Sequence, residues 1–343
     1  MKDFKKSDLD GAIFPESPPD QYQAIDFGES RRLEQFGEVV LDRPCPAAEF
    51  LKKKSLSCWA EADAVFNIDE IASKKSNVIA ERGTWVAKTE LAQNLGFGLQ
   101  ISESESHSPR VAPTVWQIRH DQMVFELRGT PFGHVGVFPE QAENWDAIKA
   151  FCQQQTQSNP SVAFRVLNLF AYTGGSTLAA ASGGAKVAHV DAAKNVVAWA
   201  RKNAEISQIA QSQVRWIAED AQKFVRRELK RGNTYRSVIL DPPSYGHGAK
   251  GEVWRLSKHL PDLLFDCFSL LEPDLPCFLL LTCHTPGFSL NRLTNLIEET
   301  AKAAFGDKFA RKRMRLDAHT MTLTAKSGAT LPSGESVMFC YNE

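Results

Sequence analysis

The sequence predicts an α/β protein, a mostly parallel sheet preceded by a smaller β-rich domain, on three observations. From Phe164 onward, short apolar runs alternate with segments of helical periodicity, in units short enough for parallel crossovers. The apolar run over 235–240 stops against Asp241-Pro242-Pro243-Ser244-Tyr245; two prolines cannot extend a strand, so the chain leaves the sheet directly after the aspartate. Before about residue 160 the rhythm is that of short alternating segments rather than long helices.

Taken in order, residues 1–30, with Pro15, Pro18 and Pro19, are expected to form an extended arm. Residues 31–160 are expected to be the β-rich domain. Runs at 21–27 and 33–41 read as strands, and Val115, Ile118, Met123, Phe125 and Leu127 flank Arg119-His120-Asp121-Gln122 as a hairpin would. A helix between Pro139 and Gln155 closes this half. Residues 161–343 are expected to be the second domain. Strands are read at 166–170, 186–190, 214–217, 235–240 and 277–283, with two more around 311–316 and 336–341. Between them, helices are marked by Ser176 to Ser182, by Val196, Trp199 and Ala200, and by Phe224, Val225 and Leu229. Leu260, Leu263, Leu264, Cys267, Leu270 and Leu271 recur at helical spacing up to Pro273, and Ser289 is placed to cap a helix running through Ala304.

A hydrophobic share of 43% is enough to build a core in each of two domains. The net charge of -1 excludes a broadly basic nucleic-acid binder and leaves only local basic faces, at Lys223, Arg226, Arg227, Lys230 and Arg231 and at Arg311-Lys312-Arg313. Seven cysteines without a C-x-x-C pair argue against a disulfide framework and a metal cluster, and for a reducing cytoplasm. The N-terminus has no apolar signal core and no run reaches ~18 apolar residues, so neither export nor membrane insertion is expected.

The candidate chemistry lies at strand ends, where open α/β sheets bind ligands. Phe170-Ala171-Tyr172-Thr173-Gly174-Gly175-Ser176 joins the first strand to its helix, and its glycines would let a ligand approach the backbone. Asp191 ends the second strand, where a carboxylate can accept ribose hydroxyls; Glu219-Asp220-Ala221 closes the third, where an Asp can accept an adenine amine. The loop and Asp191 alone fit a nicotinamide or an S-adenosylmethionine (SAM) enzyme, and the acids at Asp220 and Asp241 decide between them. The glycines do not make G-x-G-x-x-G, and a nicotinamide site has no need of Asp-Pro-Pro, so an NAD(P)-dependent oxidoreductase is the alternative. Asp191 and Asp220 also read as helix caps.

Val166-Leu167-Asn168-Leu169-Phe170-Ala171-Tyr172-Thr173-Gly174-Gly175, Val190-Asp191, Asp220-Ala221 and Asp241-Pro242-Pro243-Ser244-Tyr245 together resemble the class I SAM-dependent methyltransferases related to the bacterial 23S rRNA large-subunit methyltransferases I and K/L. The likeness covers roughly Ile118 onward and takes in Gly133-His134-Val135-Gly136 and Leu331-Pro332-Ser333-Gly334; an N-terminal RNA-binding module of the PUA type is not evident. The resemblance implies a seven-stranded Rossmann-like methyltransferase sheet, SAM as cofactor and RNA, an rRNA base, as acceptor. It implies a cofactor site of Asn168, Phe170, Tyr172, Thr173, Gly174, Asp191, Asp220, Ala221, Asp241 and Pro242. Asp241 would be catalytic, with Pro243 and Tyr245 against the substrate.

Two acceptor chemistries remain open. An exocyclic amine needs acceptors such as the Asp241 carboxylate and Pro242 carbonyl, with Tyr245 as an aromatic platform. A pyrimidine C5 needs a thiolate. Cys283 in Leu281-Thr282-Cys283-His284 resembles the nucleophile of C5-pyrimidine RNA methyltransferases, and equally reads as a small buried hydrophobe. A non-RNA acceptor is the other alternative.

Overall fold

The computed structural model describes residues 22–54, 56–68, 82–98, 115–247, 253–306, 309 and 313–341. Two compact units emerge, Met1–Ala142 with Thr322–Pro332, and Glu143–Met321 with Ser333–Glu343.

The first unit is built on a five-stranded sheet, β1 (Tyr22–Gly28), β2 (Arg31–Phe36), β3 (Val39–Pro44), β4 (Ala64–Ile68) and β5 (Gly83–Ala87), in that spatial order. Two short helices, α1 (Leu56–Ala60) and α2 (Glu90–Asn94), and the hairpin β6 (Trp116–His120) and β7 (Met123–Leu127) complete it. The hairpin turns at Asp121, whose φ of 52° is left-handed. The run expected at 33–41 is two strands, because Gly37 (φ 65°) folds it back on itself. Its core contains charge. Glu34, fully buried, accepts the Tyr22 hydroxyl at 2.9 Å and the Arg43 guanidinium, while Arg32 lies 3.0 Å away. Burial pushes this carboxyl up, but its two arginines prevail and hold it low. His134 sits beside this cluster, pushed down to about 4 by burial and by Arg43 and Arg32.

The second unit carries α3 (Ala142–Ser158), β8 (Arg165–Leu169), α4 (Gly175–Ser182), β9 (Lys186–Asp191), α5 (Lys194–Ile206), β10 (Val214–Ala218), α6 (Ala221–Lys230) and β11 (Ser237–Leu240). It continues through β12 (Tyr245–His247), β13 (Val253–Arg255), α7 (Leu256–Ser269), β14 (Cys277–Cys283), α8 (Leu290–Phe305), β15 (Met314–Thr324) and β16 (Thr330–Tyr341). Seven strands form one sheet, β10-β9-β8-β11-β14-β16-β15. The first five run parallel and β16 pairs antiparallel with β14. Leu167, Val190, Val238, Leu279 and Leu281 point to one face, where Phe224 and Val225 of α6, Leu260, Leu263 and Leu264 of α7, and Leu293 and Ile297 of α8 cover them. The α/β architecture with a seven-stranded, mostly parallel sheet and a smaller β-rich domain is therefore present.

Domain limits differ from those expected. Strand β1 begins at Tyr22, inside the expected arm; residues 1–21, like Arg311 and Lys312, lie outside the described residues. Helix α3 joins the second unit because Phe151 packs at an angle against Phe164 and edge-on against Phe278, at 6.0 and 5.0 Å. The tip of the last hairpin joins the first, since Lys326 and Ser327 donate their amides to the Ala24 and Ile25 carbonyls.

Gly175 is demanded by packing. A Cβ there would lie 2.7 Å from two carbons of the buried Trp145 ring, which has no flexible end to move aside. Gly175→Ala is expected to destabilise the second unit by ~1–3 kcal/mol, the range for overpacking. Scanning calorimetry checks this, and a variant melting with the wild type would show that the ring has room.

Candidate active site

The parallel ladder makes one edge of the sheet level. Ile217 pairs with Val190, Val190 with Leu169, Leu169 with Leu240 and Leu240 with Leu281, so these five residues form a single row. The next residues on the five strands are Ala218, Asp191, Phe170, Asp241 and Thr282. Chain order reverses between β8 and β11, since β9 and β10 lie on one side and β11 and β14 on the other. This switch point falls between Phe170 and Asp241, the place where open α/β sheets take their ligands. With strands ~4.8 Å apart, the tips bearing Asp191 and Asp241 are ~10 Å apart, two ladder steps.

The loop after β8 is held in an uncommon shape. Phe170 (φ 54°), Tyr172 (φ 48°) and Gly174 (φ 95°) are all left-handed, a cost of about 1 kcal/mol or more for each non-glycine residue that the surroundings must offset. The Ala171 amide donates to the Val190 carbonyl at 3.1 Å and the Tyr172 amide to Asp191 Oδ2 at 3.0 Å. Asn203 of α5 donates to the Thr173 carbonyl at 3.0 Å. Asp191 also accepts the Ala193 amide on Oδ1 at 2.9 Å. Its carboxyl is raised by burial, and these two amide bonds pull it back. Each oxygen has one bond and keeps acceptor capacity for a ligand hydroxyl.

Asn168 is placed differently from the expectation. It is buried beneath the loop and donates to Thr177 Oγ1 at 2.9 Å, and Thr177 in turn meets His189 Nδ1 at 2.9 Å. Its side chain anchors the start of α4 to the sheet. Gly175 likewise answers to Trp145, and a Cβ on Gly174 would come within 3.2 Å of Ala200.

Asp220 caps α6, accepting the Lys223 amide on Oδ1 at 2.9 Å, while its Oδ2 takes no hydrogen bond among the described residues. Ala221 opens that helix. Of the basic face on α6, Arg227 pairs with Glu219 at 2.6 Å, Arg226 with Asp266 at 3.7 Å and Arg231 with Glu228 at 3.3 Å. Much of that positive charge is thus neutralised within the unit.

Asp241 has partners that sequence inspection missed. Thr282 donates to its Oδ1 at 2.7 Å and His284 Nε2 lies 3.5 Å from the same oxygen. His284 is aimed by the Ser333 carbonyl, 2.6 Å from Nδ1; a carbonyl only accepts, so Nδ1 is the donor in that bond. Pro242 is buried beside it. The Pro243 carbonyl accepts the indole N–H of Trp254 at 2.7 Å, and the Trp254 ring packs on Phe170 at 5.2 Å. Ser244 meets Thr285 at 2.7 Å. Tyr245 pairs with Arg255 where β12 and β13 run antiparallel. Trp254 carries no local motif, so only the pairing of β12 with β13 reveals it.

Cys283 lies on the other side. Successive strand residues alternate faces, and Cys277, Leu279, Leu281 and Cys283 all belong to the helix-covered core. Its thiol is 2% exposed and raised, first by burial, with Thr285 pulling the other way.

The donor set fits an adenosyl cation: three strand-end carboxylates of fixed orientation, an aromatic wall of Phe170 and Trp254, and a loop that approaches without a side chain at Gly174.

A family model described as S-adenosylmethionine-dependent methyltransferase matches residues 141–314. The ribosomal RNA large subunit methyltransferase I of Aeromonas salmonicida is 32% identical over 229 residues, 66% of this chain and 53% of that protein. Its counterpart in Tolumonas auensis is 32% identical over 130 residues, 38% of this chain and 32% of that protein. The chain therefore spans about half or less of these curated relatives. A crystal structure of the SAM-dependent methyltransferase from Agrobacterium tumefaciens is similar at a TM-score of 0.73 and 30% identity, covering 95% of this chain and 92% of that one.

The network under the loop has a pH signature. Burial pushes His189 down to about 3 from 6.5. The unfolded chain then binds a proton that the folded one refuses, so stability falls as pH drops below 6.5, by about 2 kcal/mol at pH 5. Urea titrations between pH 7 and 5 should show a shallower fall for His189→Gln than for the wild type; parallel curves would place the cause elsewhere.

Proposed function

Since the chain belongs to the S-adenosylmethionine-dependent methyltransferase family, we propose that it transfers a methyl group from SAM to a base of ribosomal RNA, in the cytoplasm. The level strand edge supports this reading, because Asp191 and Asp241 leave the sheet at a common height and Asp220 follows two residues after Ala218 on the adjoining strand. Asp191 would hold the ribose hydroxyls, and Asp220 Oδ2 with the Ala221 amide the adenine. The loop from Phe170 to Gly174 would lie along the methionine part, with Asp241 and Pro242 at the transferred group. RNA as acceptor follows the named activity of the Aeromonas and Tolumonas relatives.

Bound SAM supplies a methyl group already activated on a sulfonium, so the chain's own contribution is alignment and exclusion of water. Asp241, oriented by Thr282, accepts an N–H of the incoming base, and the Pro242 carbonyl is the second acceptor. The Pro243 carbonyl is taken by Trp254, whose ring and N–H hold the turn in place. Tyr245 supplies the face against which an extruded base stacks. A core-facing, raised thiol at Cys283 suits packing better than attack, so transfer goes directly to an exocyclic nitrogen.

Calorimetry with SAM, S-adenosylhomocysteine and NADH tests the cofactor; binding of NADH alone would end this reading. Asp191→Ala should weaken SAM by ~1–3 kcal/mol, the loss of a buried acceptor, and unchanged affinity would remove Asp191 from the site. Transfer of radiolabelled methyl to total RNA, protein and small metabolites identifies the acceptor class, and label confined to protein or metabolites would overturn RNA. Cys283→Ala should keep turnover within a few-fold; a collapse by orders of magnitude would move the chemistry to pyrimidine C5 through a covalent adduct.

A further inference from the structure

We infer that the loop over 48–54 of the β-rich unit is a docking element for single-stranded RNA, with Phe50 as a stacking platform and Lys52 and Lys54 as phosphate contacts. The inference rests on the proposed RNA acceptor and adds where on the chain that RNA is gripped.

The Phe50 side chain is 93% exposed, and Leu56 further along is 70% exposed. An apolar ring in water is unfavourable, and a slack loop would fold it back. This loop is not slack. A single 3₁₀ turn, Pro46–Ala48, enters it with Ala48 fully buried. The Glu29 amide donates to the Leu51 carbonyl at 2.9 Å and the Ser30 amide to the Ala48 carbonyl at 3.3 Å. The buried Asp26 carboxylate accepts the Lys54 amide and the Trp59 indole N–H on one oxygen, each at 2.9 Å. The loop backbone lies directly on Gly28, where a Cβ would come within 2.3 Å of the Lys53 nitrogen. Phe50 is therefore presented outward by a scaffold braced on both sides.

The three lysines divide by role. Lys53 belongs to the scaffold, its Nζ 4.2 Å from the Trp59 ring centre and 3.4 Å from Glu29. Lys52 and Lys54 are exposed, the latter with Nζ 3.3 Å from the Ser327 carbonyl. Exposed Glu49 is the one acid within the loop. An outward ring flanked by exposed ammonium groups matches the chemistry of an unpaired strand, whose bases stack on aromatic faces while its phosphates meet cations. An anionic membrane would also attract the lysines, but one ring and one leucine bury too little to hold a protein on lipid when even a single acyl chain binds only marginally.

The test uses the full chain, a fluorescein-labelled single-stranded RNA oligonucleotide of mixed sequence, and anisotropy over a salt series. Phe50→Ala is expected to weaken binding about tenfold, within the range for one stacked base, while Phe50→Trp binds as tightly as the wild type or tighter. Lys52→Gln with Lys54→Gln should lower the slope of log Kd against log salt by about one to two, as two phosphate contacts are lost. Melting temperature and S-adenosylhomocysteine affinity stay at wild-type values in all three. Unchanged RNA affinity and slope would overturn the inference, as would Phe50-dependent binding to phosphatidylserine vesicles in place of RNA. A wild-type chain that fails to bind S-adenosylhomocysteine would count against the cofactor site alone, because the anisotropy reads the loop independently of it.

Discussion

Register in the parallel ladder is the constraint from which the site follows. Because Ile217, Val190, Leu169, Leu240 and Leu281 are hydrogen-bonded into one row, the residues after them emerge at a common height. A slip of one residue in any strand would turn its side chains to the other face and shift its tip by ~3.3 Å. Spacing between Asp191 and Asp241 is therefore set by the sheet rather than by loops, and the sheet is held by a core reaching three helices. Precision of this kind suits a reaction in which alignment is the principal demand.

Polar groups buried below that edge convert the same rigidity into loop shape. Asn168, Thr177 and His189 link β8, α4 and β9 in one chain of hydrogen bonds. Above them Asp191 grips Tyr172 and Asn203 grips Thr173. Left-handed Phe170 and Tyr172 persist because these contacts over-determine them. Asp191 fixes the loop through its two amide bonds, and each of its oxygens keeps further acceptor capacity. The same duality explains why Asp191 and Asp220 look like caps and ligands at once; Asp220 does cap its helix, and one of its oxygens stays open.

What could be read from the sequence was what depends on neighbours in the chain. Strands at 277–283 and 186–190, the hairpin around Asp121 and the cap at Ser289 rest on periodicity and turn chemistry, and they appear with limits shifted by a residue or so. The Asp-Pro-Pro turn at a strand end was legible for the same reason. Features set by distant residues were hidden. Trp145 decides Gly175 across thirty positions, Ala24 and Ile25 draw in the 322–332 tip, and Thr282 reaches Asp241 from the adjoining strand. The family resemblance implies Asn168 as a cofactor residue, yet the direction of its side chain depends on Thr177, which no local pattern reveals.

Parity along β14 separates the two acceptor chemistries more sharply than adjacency does. Thr282 and Cys283 are consecutive, and their side chains leave the strand on opposite faces. Thr282 turns to Asp241 and Cys283 to the core shared by Leu279 and Leu281. A thiol there gains packing and loses ionisation, since burial raises it and the carboxylates of Asp241 and Glu335 oppose a second negative charge. A hydroxyl on the other face has the reverse effect, donating to Asp241 and confining its carboxylate to one orientation. A carboxylate so held presents its acceptor oxygens in one direction.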